Sequence, residues 1–221
     1  MNKKIIILGV GGNCIDILDT VISINEKEDR EVYSCMGFLD DDKETWEKEI
    51  HGVKVLGALD TAPNYEDCYF VNGIGSPLNF FTKRDIISKT KIPLDRFETI
   101  VHPSAEISRM SHLGLGAVIL QSVTIASDVT IGNHVMVLPN SIVGHGDTIS
   151  DYVTIAGGVC VSGGVSIGRS CYIGANASII GNITIGEMCL VGMGSVVIDS
   201  VGKNSLVAGN PAKFLSNTIE M

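Results

Sequence analysis

Basic residues are scarce in this chain of 221 residues: 16 Lys and Arg stand against 25 Asp and Glu, for a net charge of −9. That balance argues against a general nucleic-acid or anionic-membrane surface and leaves any anionic ligand to local groups. Long apolar runs are also missing. The first, "KKIIILGV", is cut short by "GGN" and Asp16, so it lacks the h-region and cleavage site of a secretory signal. No stretch approaches the roughly 20 apolar residues of a membrane span. Neither nucleic acid nor membrane is expected as a partner, and the chain reads as cytoplasmic. The six cysteines (Cys14, Cys35, Cys68, Cys160, Cys171 and Cys189) include no C-x-x-C pair. They read as small buried hydrophobes rather than disulfides or metal ligands, and no metal is expected.

What the chain has in abundance is a period. Every sixth residue from Ile107 to Val197 is Ile, Leu or Val, sixteen in succession. Six matches neither the 3.6 of a helix nor the alternation of a strand, so the unit is a short strand plus a turn, and the array is a parallel β-helix. Four places beyond each aliphatic residue lies a second position, mostly small or β-branched, as at Val123, Ser141 and Val165. These suit a narrow interior. Three hexads make one triangular coil, so residues eighteen apart stack at the spacing of parallel strands, about 4.8 Å. Asp147 occupies one inward position, with Val129 and Val165 as its column neighbours. A lone buried carboxylate costs several kcal/mol unless partnered, and residues that break a pattern tend to mark sites. The competing reading is a bulged coil in which Asp147 caps a turn in solvent.

The first hundred residues follow another plan. "KKIIILGVGGNCIDILDTVISI" predicts a buried parallel strand, a glycine turn and a helix from about Asn13, with Ile15, Leu18 and Ile22 on one face. Gly9, Gly11 and Gly12 let the backbone approach a ligand at the helix N-terminus, whose free N–H groups favour phosphate. The third glycine of G-x-G-x-x-G is replaced by Cys14. A lone imperfect fingerprint is weak on its own. A second strand in "EVYSCMGFLDDD" ends in Asp40, Asp41 and Asp42 at the carboxyl edge of the sheet. These acids either meet a ribose or base or are solvated turn residues. A third strand in "DCYFVNGIGS", an amphipathic helix in "NFFTKRDIISKTK" and a short strand in "FETIV" complete one half of a doubly wound fold, a size that suits one nucleotide better than NAD. "HPSAEIS" hands the chain to the repeat, giving an α/β half-Rossmann domain over 1–102 and a β-helix with a C-terminal cap over 103–221.

A glycine-rich α/β domain joined to unbroken hexads and ending in "VAGNPAKFL" resembles the bacterial nucleotide-sugar N-acetyltransferases, a group that takes in UDP-amino-sugar and GDP-perosamine acetyltransferases and the related sialic acid O-acetyltransferases. The resemblance spans nearly the whole chain. Its carriers are "GVGGN", "GFLDDD", "GVKVLG", "NGIG", "HPSA", the hexads, His145 and "AGNPAK". It implies that the β-helix is left-handed, which spacing alone does not set. It further implies a homotrimer, acetyl-CoA lying along the β-helix between two subunits, and a nucleotide-linked amino sugar as acceptor. By the same resemblance His145 is the general base, Gly163 holds the acetyl carbonyl, and Ala175, on a coil beyond, Gly192, Pro211 and Lys213 meet the CoA. Gly11, Asn13, Asp40, Asp41 and Gly75 meet the nucleotide sugar. Asn13 stands where a histidine is common, and Gly146 where Asp or Glu usually supports the imidazole. Either Asp147 takes over that support, or the acceptor amine loses its proton by another route.

The chemistry has its own requirements. An ammonium must shed a proton before attacking a thioester, and a neutral imidazole is suited to accept it near neutral pH. Attack builds negative charge on the acetyl oxygen, so a preorganised N–H is needed. Gly163 lies eighteen residues beyond His145, directly on the next coil, with no side chain to obstruct the thioester. Lys213 would neutralise part of the CoA phosphates. An O-acetyltransferase acting on sialic acid or another sugar hydroxyl needs a stronger base, so the missing acid at Gly146 favours the amine. A zinc carbonic anhydrase built on hexads needs three converging histidines, and His112, His134 and His145 lack the paired spacing; the first two read as turn or surface residues. A non-catalytic β-helix scaffold predicts neither a nucleotide domain nor a deviant inward acid.

Overall fold

The computed structural model describes residues 2–218. The chain opens with β1 (Lys3–Leu8), whose Ile5, Ile6, Ile7 and Leu8 are fully buried, as befits a parallel strand covered on both faces. α1 (Gly12–Lys27) follows, then β2 (Tyr33–Leu39), β3 (Glu49–Ile50), β4 (Val53–Gly57) and β5 (Tyr69–Asn72). They form a five-stranded sheet of order β3-β4-β2-β1-β5, in which only β3 runs antiparallel to its neighbour.

The buried face of α1 is Cys14, Ile17, Leu18 and Val21. This corrects the expected stripe, because Ile22 is 48% exposed. The helix is covered from two sides, by the sheet and by Ile100, Val118, Leu120 and Met136 of the β-helix, and the spacing 14, 17, 18, 21 is the stripe those two surfaces share. The second expected helix shrinks to α2 (Lys83–Ser88). Residues ahead of it are used as turns, with Thr82 N–H donating to the Asn79 carbonyl at 3.1 Å, while Phe80 is fully buried against Tyr172 of the β-helix, ring centroids 6.3 Å apart. "FETIV" joins the α/β sheet only by a single parallel bridge, Phe97 beside Phe70 of β5, with the Glu98 N–H donating to the Phe70 carbonyl at 2.9 Å. Its last two residues form β6 (Ile100–Val101), which pairs with Val118–Ile119 as the first rung of the β-helix.

From β6 onward each hexad contributes a two-residue strand, and the hexad strands pair residues eighteen apart, as in Thr124↔Ile142 and Thr130↔Thr148, until the last coil, where Leu190 pairs with Leu206. Three sheets result. One, running from β6 through Leu190–Val191 to the hairpin Ser205–Gly209 and Ala212–Asn217, is the face on which the α/β domain docks. A second, Glu106–Ile107 through Val196–Val197, carries Ile142, Cys160 and Val196 outward. A third, His112–Leu113 through Thr184–Ile185, carries an outward ladder of Thr130, Thr148, Ser166 and Thr184. Inside, the aliphatic and small columns form one core in which Val129, Val135, Val165 and Cys171 are fully buried.

Asp147 sits in that core with no exposed surface, and Thr148↔Ser166 keeps the register unbroken beside it, so the coil does not bulge there. All six cysteines are free thiols, but Cys160 is exposed and Cys35 half-buried, so the reading as buried hydrophobes fails for those two. Cys160 occupies an outward strand position and not an interior one. His134 is likewise not a surface residue: it is 3% exposed, wedged edge-on to Phe97 (centroids 4.5 Å apart) and stacked on Tyr152 (5.2 Å). The docked α/β domain covers the corner on which it stands.

Candidate active site

His145 stands on the corner between the second and third faces, exposed, directly after the strand Ile142–Val143. Its carbonyl accepts the Gly164 N–H at 2.9 Å, which locks the corner to the next coil. The eighteen-residue stack places Gly163 against the imidazole. A Cβ on Gly163 would lie 2.5 Å from His145 Cε1 and 2.6 Å from Nε2, so only glycine admits the ring at this distance. The Gly163 N–H has no acceptor among the described residues. Gly144 guards the same amide, since a Cβ there would come within 2.6 Å of the Gly163 nitrogen. Sequence reasoning did not single out Gly144, although its place beside the Gly163 coil follows from the same stacking rule.

The support expected from Asp147 is absent. Its carboxyl turns into the β-helix, where Oδ1 accepts the Val165 N–H at 2.7 Å, and it makes no hydrogen bond with His145. Burial pushes its pKa up to about 6, partly opposed by backbone N–H groups and by the charge of His145. On the outer side, a Cβ on Gly146 would meet nothing within 4 Å, so the place where an acid was expected beside the imidazole is open space. Among the described residues no group of three His, Cys, Asp or Glu side chains is arranged to hold a metal ion. His112 lies on a strand of the third face, while His134 and His145 lie on different corners.

A second locus is a cavity of about 470 Å³ between the glycine turn and the docked face, lined by Gly11, Gly12, Asn13, Asp40 and Gly75 among others, with Leu138 and Tyr172 from the β-helix. Gly9 adopts φ +98° to turn the chain out of β1, and the helix begins with the unpaired N–H groups that every helix N-terminus leaves. Cys14, the departure from the glycine fingerprint, is explained by its neighbours. A Cβ on Gly73 would fall within 2.4 Å of the Cys14 sulfur, so Gly73 makes the room that the missing third glycine would have made. Burial raises this thiol to about 12. Asn13 Nδ2 donates to the Gly75 carbonyl at 3.0 Å and so ties the two glycine loops together. Asp40 lines the cavity and accepts the Asp42 N–H at 2.8 Å. Asp41 does not line it: its carboxylate accepts the Leu59 N–H at 3.0 Å and lies 3.9 Å from Lys89.

The residues expected along CoA divide. Ala175 is not in the His145–Gly163 column. It stands with Gly192 on the corner between the docked and second faces, because Gly174 and Gly192 follow the stacked strands Tyr172–Ile173 and Leu190–Val191. Pro211 lies at the turn of the terminal hairpin, and Lys213, exposed on its second strand, lines a smaller cavity of about 250 Å³ with Ile198 and Phe214. The most unexpected residue is Lys83. It is fully buried, its amine donates to Thr154 Oγ1 at 3.3 Å, and burial lowers its pKa from 10.5 to about 7. It lies beneath the floor of the cavity, since a Cβ on Gly75 would meet Thr154 Oγ1 at 2.7 Å and Lys83 Nζ at 3.6 Å. Nothing in "FTKRDII" marks that lysine as interior.

Fold and site together define a class: a Rossmann-like α/β domain seated on one face of a hexapeptide-repeat, left-handed parallel β-helix. Residues 4–88 match the family model of the PglD N-terminal domain. No curated protein sequence matches the chain. Among solved structures, the acetyltransferase domain of PglB from Neisseria gonorrhoeae in complex with acetyl coenzyme A superposes with a TM-score of 0.85 at 24% identity, over 97% of this chain and 100% of that one. A mutant of perosamine N-acetyltransferase from Caulobacter crescentus, in complex with CoA and GDP-perosamine, gives 0.84 at 23% identity over 97% of both chains. WeeI from Acinetobacter baumannii gives 0.81 at 25% identity, over 97% of this chain and 100% of that one. Among the described residues, no helix is long and apolar enough to cross a membrane.

Proposed function

We propose that this protein transfers an acetyl group from acetyl-CoA to the amino group of a nucleotide-linked amino sugar, with His145 as general base. The observation that carries the reading is the His145–Gly163 pair: an exposed imidazole packed on a bare peptide whose N–H has no acceptor among the described residues. One group takes the proton from the attacking nitrogen, and the other holds the oxygen on which negative charge develops. As the tetrahedral centre collapses, the C–S bond breaks and CoA leaves as its thiol. The likeness to the PglB domain, which is solved with acetyl coenzyme A, and to the perosamine enzyme, solved with CoA and GDP-perosamine, supports this reading.

Within one chain the parts lie apart. The glycine-turn cavity opens against the docked face, whereas His145 stands on the far side of the second face. That second face carries Ile142, Ile180 and Ile198, at 47%, 50% and 46% exposure, in an apolar strip. Burying three such strips around a threefold axis would make a homotrimer and bring the Ala175–Gly192 corner of one subunit to the His145–Gly163 corner of the next. Acetyl-CoA then runs along that seam, with Pro211 and Lys213 toward its phosphates, while Gly11, Asn13, Asp40 and Gly75 hold the nucleotide of the acceptor. Asp41, whose carboxylate accepts the Leu59 N–H and lies 3.9 Å from Lys89, shapes the loop beside the cavity. The test is acetyl transfer from acetyl-CoA to a panel of UDP-, GDP- and dTDP-linked amino sugars, with His145→Ala beside the parent protein. Transfer to none of them by a folded trimer overturns the reading.

A further inference from the structure

Three inward corner residues of the β-helix share one bonding pattern. Ser111 Oγ accepts the Val129 N–H at 2.9 Å and donates to the Ala126 carbonyl at 2.6 Å. Ser141 Oγ accepts the Val159 N–H at 3.2 Å and donates to the Ala156 carbonyl at 2.8 Å. Cys171 Sγ accepts the Cys189 N–H at 3.4 Å and donates to the Gly186 carbonyl at 2.9 Å. In each case the amide lies eighteen residues ahead and the carbonyl fifteen. Each side chain therefore fastens its own coil to the next through one accepted and one donated bond. Asp147 occupies the same kind of position, and its Oδ1 accepts the Val165 N–H, again eighteen ahead. Its Oδ2 is buried without a partner among the described residues. The carbonyl fifteen residues ahead belongs to Ser162, the neighbour of Gly163. A carboxylate has nothing to donate to a carbonyl, whereas a carboxylic acid has.

We infer that Asp147 is a positioning residue which acts as the protonated acid, its Oδ2–H donating to the Ser162 carbonyl so that the coil bearing His145 is held in register with the coil bearing Gly163. The orphaned oxygen is then satisfied as Ser111, Ser141 and Cys171 are. Burial of Asp147, with its pKa raised to about 6, favours that form. The column neighbours Val129 and Val165 carry no charge, and the titratable group that faces it is His145, whose charge opposes the rise. Ionisation leaves two oxygens facing each other across the corner. The consequence for catalysis rests on the proposed function, but the bonding claim does not.

The decisive variant is Asp147→Asn. Its Oδ1 accepts from Val165 and its Nδ2 donates to Ser162, so it copies the protonated acid without titrating. Asp147→Val, matching its column neighbours, keeps neither bond. Urea denaturation of the full-length protein is followed across the pH range on both sides of the raised pKa. Because the folded pKa lies above the ordinary carboxylate value, the parent's stability is fully present below that ordinary value and declines as pH rises through about 6. The expected loss is roughly 10²-fold in the folding constant, and Asp147→Asn lacks it, becoming the more stable protein at alkaline pH. In the transfer assay the asparagine variant keeps the parent's kcat below the raised pKa, whereas Asp147→Val lowers kcat with little change in KM for acetyl-CoA. A parent and Asp147→Asn with parallel pH profiles, or an asparagine variant less stable at every pH, overturns the inference. If no sugar is acetylated but the pH profiles diverge as stated, the strut stands and the proposed function fails. Should the valine variant not fold, the asparagine profile alone decides.

Discussion

Replacing Lys83 with methionine should make the protein more stable near neutral pH, although it removes a charge and a hydrogen bond. The lysine has no exposed surface, and its amine makes a single hydrogen bond, at 3.3 Å, to Thr154 Oγ1. Burial lowers its pKa from 10.5 to about 7. At 1.36 kcal/mol per pKa unit, that shift corresponds to roughly 5 kcal/mol by which the folded state disfavours the ammonium. Methionine has similar length and no charge. It leaves Thr154 without its partner, which costs about 1 kcal/mol, so a net gain of about 2–4 kcal/mol is expected wherever the lysine would be protonated in both states. Between pH 7 and 10.5 the unfolded chain binds the extra proton, so the parent gains stability as pH rises and the advantage of methionine shrinks toward zero. Urea denaturation of both proteins at several pH values across this window measures the difference. The difference matters more than either curve, because thiols such as Cys14, which burial raises to about 12 in the folded state, ionise in this window once unfolded and cancel between the two proteins. A stability difference that stays constant with pH, or a methionine variant less stable than the parent below the window, refutes the account: the amine would then be paired or hydrated in the folded state.

Other expectations follow from the same reasoning. His145→Ala should lower turnover by roughly 10²-fold or more without lowering stability, since the side chain is exposed and makes no hydrogen bond; steady-state kinetics and a melting curve check both halves. Gly163→Ala places a methyl group 2.5 Å from His145 Cε1 and must displace the ring, so kcat should fall about as far as in His145→Ala. Retained kcat in that variant would deny the glycine its place. His134 has its pKa lowered to about 4 by burial and by Lys83, so the folded state resists protonation and stability is lost as pH falls from about 6.5 toward 4. His134→Phe removes the unpartnered Nδ1 and should flatten that acid limb in denaturation experiments.

The six-residue spacing carried a large share of this molecule. Two-residue strands that pair by backbone hydrogen bonds admit one register, so the column joining His145 to Gly163 can be counted along the chain. The glycine turn after β1, the carboxylate of Asp40 at the sheet edge and the burial of Asp147 were legible for the same reason: each is a local pattern with few geometric solutions. Counting also has a limit, since Ala175 is out of phase with that column and stands on another corner.

What depended on contacts between distant segments was not written in any short stretch. Ile22 faces solvent and Cys14 the core because α1 is covered by the β-helix as well as by its own sheet. His134 and Lys83 are interior because the α/β domain closes over one face of the prism, and nothing adjacent to either residue announces that cover. Asp147 turned inward to a backbone amide and not outward to the histidine, a choice set by the hydrogen bonds waiting on the next coil. Periodicity determines which residues form elements and how they stack, because backbone pairing is local and repetitive. The environment of each side chain comes from the surface that finally lies against it, and that surface is brought by parts of the chain far away in sequence.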